Sequence, residues 1–338
     1  MTKCSLLLLL AACGAPCGAT PREPAAWYDS GLPVPPVVSR TVTQAEIGDL
    51  TWRTGADVPF RETTLTERET MARVLPEIFT AARSKGPGDP ARFAAALHAV
   101  GFKIEVWTAG DRKLWAILEE PTRRRGAGAY LVRLGPPEKE EILLQAPHAD
   151  YDLGTGEMAA RLFLAPPPGN APRALFLNTM HRYQLLPGQK ERRPGSPADV
   201  AHNPNHLYTA ATDAALQTGP MLVVQLHGFG TRTDDDDAPL PEGTTMVVSA
   251  GRDTGSTPRS TAIAERLRKA FGEGVRRFPE EAPVLGATTN VQGRAARRRP
   301  GVDFVHVEIA APLRKQLREG GPRLAELGAI LFNTEAPR

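Results

Sequence analysis

Apolar residues recur at helical spacing over residues 64–83 and again over residues 90–99, which predicts two helices early in the chain. Short runs with strand character follow at residues 102–107, 113–119, 129–134 and 141–146. The first three runs are closely spaced and bounded by turn residues. We therefore expect the segment 101–146 to form an antiparallel start of a sheet.

Beyond residue 146 the pattern changes to strands that alternate with helices. Strand-like runs lie at 174–178, 221–227, 245–250 and 304–309, and helical spacing covers 156–163, 205–217 and 258–271. This alternation predicts a three-layer α/β/α architecture around a mixed, largely parallel central sheet, within one domain over residues 41–330. Ligands of such sheets bind beyond the carboxyl ends of the strands, so candidate chemistry is expected there.

The amino-terminal residues have the pattern of an export signal. Lys3 precedes a short apolar run at residues 5–10, and small residues follow it directly. The run is too short for a spanning helix, which needs about 20 residues. Residues 10–13 (LAAC) resemble a lipobox, so residues 1–12 are interpreted as a lipoprotein signal peptide with Cys13 as the lipidated residue. An ordinary cleaved signal with an incidental cysteine is the alternative.

Residues 13–40 are rich in Pro, Gly and Ala, which favours a tether between the lipid anchor and the folded domain. The expected location is the bacterial cell envelope, with the protein lipid-anchored on the periplasmic face or the cell surface. The membrane is therefore a predicted partner, reached through the anchor.

Charge and cysteine content narrow the chemistry. The net charge is only +3, and no aromatic residues interleave the basic runs 123–125 and 297–299, so these runs are interpreted as solvated loops and a nucleic-acid partner is not expected. The chain has three cysteines, Cys4, Cys13 and Cys17, all in the leader and tether. Any metal in the domain must therefore be held by His, Asp and Glu.

Polar side chains follow several predicted strands at the point where each strand ends. His148, His181 and His227 occupy such positions, and Glu308 lies within the last strand-like run. One such histidine alone is more often a hydrogen-bonded core or turn residue. Four polar groups at the same predicted edge of the sheet indicate a site.

The loop after residue 146 carries the most ligand-type side chains. Its sequence PHADYDLGTGE (147–157) contains one imidazole and the carboxylates of Asp150, Asp152 and Glu157. Catalytic zinc needs three nitrogen or oxygen ligands and a water, which a His and a carboxylate from this loop with a second His from a distant strand would supply. Glu308 is then available as general base.

These residues resemble the zinc-dependent exopeptidase superfamily, specifically its N-formylglutamate amidohydrolase and poly-γ-glutamate hydrolase branches. The likeness rests on four segments in the family's order, which together span residues 140–317. They are PHADYDLGTGEMA (147–159), LFLNTMHRYQ (175–184), VVQLHGF (223–229), and TTNVQGR (288–294) with FVHVEIAAPLRKQL (304–317).

The resemblance implies the zinc exopeptidase type of phosphorylase/hydrolase-like fold, with Zn²⁺ as cofactor. It also implies His148 and His227 as zinc ligands and Glu308 as the catalytic base. Arg182, with Asn178 nearby, would bind a carboxylate of the substrate, a role that suits the planar guanidinium fork.

The first loop departs from the family spacing, because Asp150, Asp152 and Glu157 stand two, four and nine residues after the histidine. A one-residue deletion makes Asp152 the expected third ligand, while Asp150 remains an alternative. Glu157 is expected to orient a ligand or to cap its own helix.

Three further histidines complete the predicted site. His202 is expected to face the substrate from a crossover loop. His181 and His306 are expected to support the ligands or to replace one of them, and His306 shares a strand face with Glu308.

The sequence thus predicts a zinc-dependent amidohydrolase or peptidase that cleaves an amide bond near a free carboxylate. Its substrate would be a small acyl-amino acid or a peptide. A non-catalytic binding lipoprotein on the same fold is the alternative, motivated by the altered carboxylate spacing.

Overall fold

A computed structural model describes residues 33–52, 55, 58–137, 139–168, 170–230 and 239–333. The signal peptide, Cys13 and the tether as far as residue 32 lie outside these residues. Among the described helices, none is both long enough and apolar enough to cross a membrane.

The described residues build one ten-stranded mixed sheet with the strand order β1-β2-β3-β4-β6-β5-β7-β10-β8-β9. The strands are β1 Ser39–Thr41, β2 Phe102–Ala109, β3 Arg112–Glu119, β4 Ala129–Arg133, β5 Glu141–Ala146, β6 Ala174–Leu177, β7 Met221–Phe229, β8 Met246–Ser249, β9 Val275–Arg277 and β10 Val302–Ala310. Strands β2, β3 and β4 form the predicted antiparallel meander. At the centre, β6, β5, β7 and β10 run parallel, so their carboxyl ends share one edge.

Helices cover both faces of the sheet. They are α1 Gln44–Gly48, α2 Leu65–Ala82, α3 Ala91–Ala99, α4 Thr155–Leu164, α5 Leu207–Leu216, α6 Pro258–Phe271, α7 Val291–Arg297, α8 Ala311–Leu317 and α9 Pro322–Leu331. One hydrophobic core joins α1, α4, α6, α8 and α9 to the sheet, and a second core joins α2, α3, α5 and α7 to the opposite face. The predicted three-layer α/β/α architecture is confirmed.

Strand β7 shows how the sequence pattern places polar groups at the sheet edge. Leu222, Val224 and Leu226 are buried in the first core, whereas the alternate residues Met221 and Val223 are buried in the second. The next two residues on the same face as Met221 and Val223 are Gln225 and His227. The face that packs on α5 and α7 therefore turns polar as β7 approaches its carboxyl end.

The basic run 123–125 is not a solvated loop, so that interpretation is wrong for two of its three residues. Arg123 and Arg125 are buried, because Arg123 pairs with Glu120 and Arg125 pairs with Glu67. Burial raises the pKa of Glu67, but Arg125 and the other groups that bind its carboxylate lower it further, so the group is held ionised. Arg125 thus ties its loop to α2, and Arg123 ties it to the end of α3 by donating to the His98 carbonyl.

Candidate metal centre

The carboxyl ends of three neighbouring strands bring the predicted chemistry together. His148 follows β5 by two residues, His227 lies near the end of β7, and Glu308 lies near the end of β10. In the parallel register of β7 and β10, Glu308 stands directly beside His227. The loop after β5 returns Asp152 to the same place.

Asp152 lies between the two histidines. Its Oδ2 is 3.3 Å from Nδ1 of His227 and 3.6 Å from Nδ1 of His148, and it accepts a hydrogen bond of 3.0 Å from the Gly228 N–H. All three side chains are almost fully buried. His148, Asp152 and His227 thus form a group whose ligand atoms could hold a metal ion.

A chain of buried amides determines which nitrogen of His227 carries the proton. Gln145 donates to the Thr212 hydroxyl, and that hydroxyl donates to a backbone carbonyl one turn earlier in α5. The Gln145 oxygen therefore accepts from the amide of Gln225, and the Gln225 oxygen accepts from Asn290 and from Nε2 of His227. Burial lowers the pKa of His227 to about 4, so its single proton is on Nε2 and Nδ1 is a bare lone pair.

Asp199 imposes the same tautomer on His148. Its Oδ1 lies 2.8 Å from Nε2 of His148, and its Oδ2 accepts from Nε of Arg182 at 3.0 Å. Burial raises the pKa of Asp199, but its partners His148 and Arg182 lower it further, so the carboxylate is ionised and can only accept. His148 must then donate through Nε2, and its Nδ1 is buried without a hydrogen-bond partner among the described residues.

Three ligand atoms therefore converge: the Nδ1 atoms of His148 and His227, and Oδ2 of Asp152. Burial lowers the pKa of His148, but its carboxylate partners Asp152 and Asp199 raise it further, so in the metal-free protein a proton competes for this position. A tetrahedral zinc site with metal–ligand distances of about 2.0–2.1 Å has edges of roughly 3.3 Å between its ligand atoms. The observed separations of 3.3 and 3.6 Å match this spacing. The carboxylate and amide partners on the distal Nε2 atoms are those that orient histidine ligands in metal sites. This donor set fits zinc.

Glu308 completes the centre. Its carboxylate is buried, Oε1 lies 3.5 Å from Nε2 of His306, and Oε2 has no hydrogen-bond partner among the described residues. Burial, helped by the negative charge of Asp152, raises the pKa of Glu308 to about 8. A carboxylate with a bare oxygen beside the ligand cluster can accept a proton, which is the role predicted for it.

His306 also belongs to this cluster, whereas Glu157 does not. His227, His306 and Glu308 form a second group of ligand-type atoms, and burial lowers the pKa of His306 well below its usual range. The Cγ of Glu157 instead lies against Gly48 of α1, 3.8 Å from where a Cβ there would stand. The α4 N-cap is Gly154, with no side-chain cap bond, and Glu157 lies in the first turn of α4, where a negative charge favours the helix dipole. That Glu157 orients a ligand stays a prediction.

Asn178 binds backbone carbonyls, and Asp150 is in neither group of ligand-type side chains found among the described residues. Asn178 is fully buried, and its amide donates to the carbonyls of Pro147 and Met180 at 2.8 and 3.0 Å. It holds the ends of β5 and β6 together, and its predicted contact with a substrate stays a prediction. Asp150 is half-buried. Burial raises the pKa of its carboxyl group, and the positive charge of Arg192 lowers that pKa less strongly.

Arg182, His181 and His202 line the approach to the cluster. The Arg182 guanidinium stacks over Tyr151 and Tyr183 at 5.3 and 4.9 Å, and His181 contacts both tyrosine rings. Burial lowers the pKa of His181 to about 4. Because Asp199 binds Nε and Nη2 of Arg182, Nη1 is the nitrogen left for the predicted carboxylate of a substrate.

Two residues of the site were missed from the sequence. Asp199 precedes His202 by three residues in the crossover loop, and a lone Asp in a loop gives no signal of its own. Arg314 donates to the carbonyls of Leu153, Phe229 and Ile309, and it occupies the space beside Gly228 where a Cβ would stand 2.1 Å from its Nη1. Gly228 in the strand was the available signal, since glycine there marks a close approach.

Asp199→Asn is expected to weaken zinc binding by about 10–100-fold, because the amide loses the charge that orients His148. Titration with zinc against a competing chelator measures this change, and circular dichroism checks the fold. An affinity equal to that of the unmodified protein would remove Asp199 from the centre.

Comparison with known proteins gives matches among solved structures. No family model and no curated protein matches the chain. It is similar to a bacteriophage poly-gamma-glutamate hydrolase (17% identity, 58% of this chain and 83% of that one, TM-score 0.36). It is also similar to N-formylglutamate amidohydrolase from Ralstonia eutropha JMP134 (16% identity, 58% and 92%, TM-score 0.33). Both belong to the branches that the sequence resembles.

Proposed function

We propose that this protein is a zinc-dependent amidohydrolase or peptidase that cleaves an amide bond near a free carboxylate. One observation carries the proposal: Nδ1 of His148, Nδ1 of His227 and Oδ2 of Asp152 converge in a buried cluster, while Nε2 of each imidazole is bound to another side chain. Three nitrogen and oxygen ligands held together in this way are the donor set of a catalytic zinc site. Beside them stands a second buried carboxylate, Glu308, which a purely structural metal site would not need.

Each residue has a distinct task in this proposal. His148, Asp152 and His227 would hold the ion, which when bound supplies the Lewis acidity that activates water and polarises a carbonyl group. Glu308 would take the proton from the attacking water at Oε2 and pass it to the leaving nitrogen. Arg182 would orient the substrate by binding its carboxylate through Nη1, an assignment that the sequence resemblance also supports.

The test combines metal content with a substrate panel. Protein purified without added metal should contain about one zinc per chain. With zinc present, it should hydrolyse at least one member of a panel of N-acyl-amino acids and of α- and γ-linked glutamyl peptides. Zinc without hydrolysis of any panel member would favour the alternative, a non-catalytic binding protein. Absence of zinc binding would overturn both the metal and the mechanism.

We also propose that the protein works in the cell envelope, anchored through Cys13. The lipobox pattern at residues 10–13 supports this location. Cys13→Ser is expected to prevent incorporation of labelled fatty acid and to leave the uncleaved precursor. Labelling and fractionation of a bacterial host measure both effects, and undiminished labelling of the variant would contradict the anchor.

A further inference from the structure

An arginine-lined cavity opens between α5 and α7. Its volume is about 720 Å³, and Arg294, Arg298 and Arg299 line it together with Asp213 and Thr289. The basic run 297–299 was interpreted as a solvated loop, but Arg297 ends α7 and the next two residues line this cavity. Arg297 and Arg298 are exposed and Arg299 is half-buried, so the run is solvated as predicted, although Arg297 belongs to a helix and not to a loop.

The cavity continues toward the candidate metal centre. A neighbouring cavity of about 460 Å³ is lined by Arg182 and Asp199, and the two cavities share His202 and Pro204 as lining residues. Asp199 is the hydrogen-bond partner of His148, so the second cavity reaches the edge of the centre. A ligand that begins beside Arg182 can pass His202 and end among the arginines of α7.

The charge of the arginine cavity is unbalanced. Three guanidiniums face one carboxylate, that of Asp213, whose pKa is raised by burial and lowered less strongly by Arg299 and Arg298. Nε of Arg294 donates to the Thr288 carbonyl at 3.3 Å, which leaves its two terminal nitrogens. Within the described part of the chain, the Arg298 and Arg299 side chains make no hydrogen bond. The cavity therefore offers several guanidinium donors to an anion.

We propose that Arg294, Arg298 and Arg299 bind a second carboxylate of the substrate, remote from the scissile amide. The substrate would then be an acidic peptide several residues long rather than a single acyl-amino acid. This inference rests on the proposed function, because it takes the amide to lie at the metal centre and one carboxylate to lie at Arg182. The guanidinium fork binds carboxylates bidentately, and the two cavities have the size of ordinary ligand sites.

The binding test uses metal-free protein and calorimetry. The probes are tetraglutamate, α- and γ-linked, and a control peptide Gln-Gln-Gln-Glu that keeps only the terminal acidic residue. The unmodified protein should bind at least one of the two tetraglutamates about tenfold more tightly than the control peptide. Arg298→Gln should bind that tetraglutamate about tenfold more weakly than the unmodified protein does. Arg299→Gln serves as the second variant if Arg298→Gln does not fold.

Arg297→Gln is the matched control, because it removes the same charge from the same helix. The Arg297 guanidinium lies beside Gly251 and Gly293 and is not among the residues that line the cavity. Its affinity for tetraglutamate should equal that of the unmodified protein. Equal losses in Arg297→Gln and Arg298→Gln would overturn the proposal, as would equal affinity of the unmodified protein for both peptides.

A separate arm with pyrophosphate distinguishes carboxylate from phosphate. If pyrophosphate binds in an Arg298-dependent manner and tetraglutamate does not bind, the cavity takes phosphate and the proposal is wrong. Since binding is measured without metal, a protein that binds tetraglutamate but hydrolyses nothing would count against the proposed function and not against this subsite.

Discussion

Asp152→Asn should weaken the affinity for zinc by more than about 10–100-fold, which is the loss expected when a residue that only supports a ligand is removed. Asp152 supplies the one negative charge among the three converging atoms, and its Oδ2 lies beside Nδ1 of both imidazoles. Asparagine preserves the shape of the side chain but offers either a neutral oxygen or an N–H₂ group at that point. The variant should therefore fold yet purify without stoichiometric zinc, as measured by elemental analysis and chelator competition.

Asp150→Asn is the decisive comparison, because it removes an aspartate from the same loop two residues earlier. The charge that acts on the Asp150 carboxyl is that of Arg192 and not that of a histidine. The zinc content of Asp150→Asn should therefore match that of the unmodified protein. If Asp150→Asn loses zinc while Asp152→Asn retains it, the ligand assignment is wrong and the loop binds metal in another arrangement.

Glu308→Gln is expected to lower kcat by about 10²–10⁴-fold on whichever panel substrate is hydrolysed, the usual contribution of general acid–base catalysis. Glutamine has the same size as glutamate but cannot accept the proton of the attacking water. Because Glu308 is outside the ligand triad, the variant should keep its zinc. Steady-state kinetics and elemental analysis on the same sample separate loss of the base from loss of the metal.

The stability of Glu308→Gln has a predicted sign. Burial raises the pKa of Glu308 to about 8, well above its ordinary value, so the metal-free fold loses stability as pH rises from that ordinary value to about 8, because the unfolded chain releases a proton that the fold still holds. Glutamine removes this cost, and metal-free Glu308→Gln should melt no lower than the unmodified protein at pH 7. Asp303→Asn, at the opposite end of β10, is the matched carboxylate-to-amide control and should leave kcat unchanged. Full activity of Glu308→Gln would contradict the proposed mechanism.

The strands and the residues at their ends could be predicted from the sequence because both depend on local patterns. His148, His227 and Glu308 interrupt apolar runs that are otherwise buried on two faces, and such interruptions can be seen without a structure. Asp152 was reached through spacing after the histidine. Each of these signals lies within a few residues of a strand.

The supporting residues were not predictable, because their roles depend on contacts between distant segments. Asp199 meets His148 across 51 residues of sequence, and Gln225 meets Gln145 across 80. Glu67 and Arg125 form a buried ion pair, and counting charged residues in the sequence does not show that these two are buried. Short or poorly patterned elements such as β1, β9 and α9 were likewise not predicted, since their packing rather than their local pattern defines them.

Arg314 fixes the geometry of the ligand atoms before any ion arrives. One guanidinium bonds the carbonyl of Leu153 in the ligand loop, that of Phe229 on β7 and that of Ile309 on β10, while Gly228 donates directly to Asp152. The loop and both strands are therefore preorganised, and binding does not have to order them. Such a centre differs from metal sites whose binding free energy is folding free energy. Chelation should empty it and leave the melting cooperative, so that an ion could leave and return without refolding of the protein.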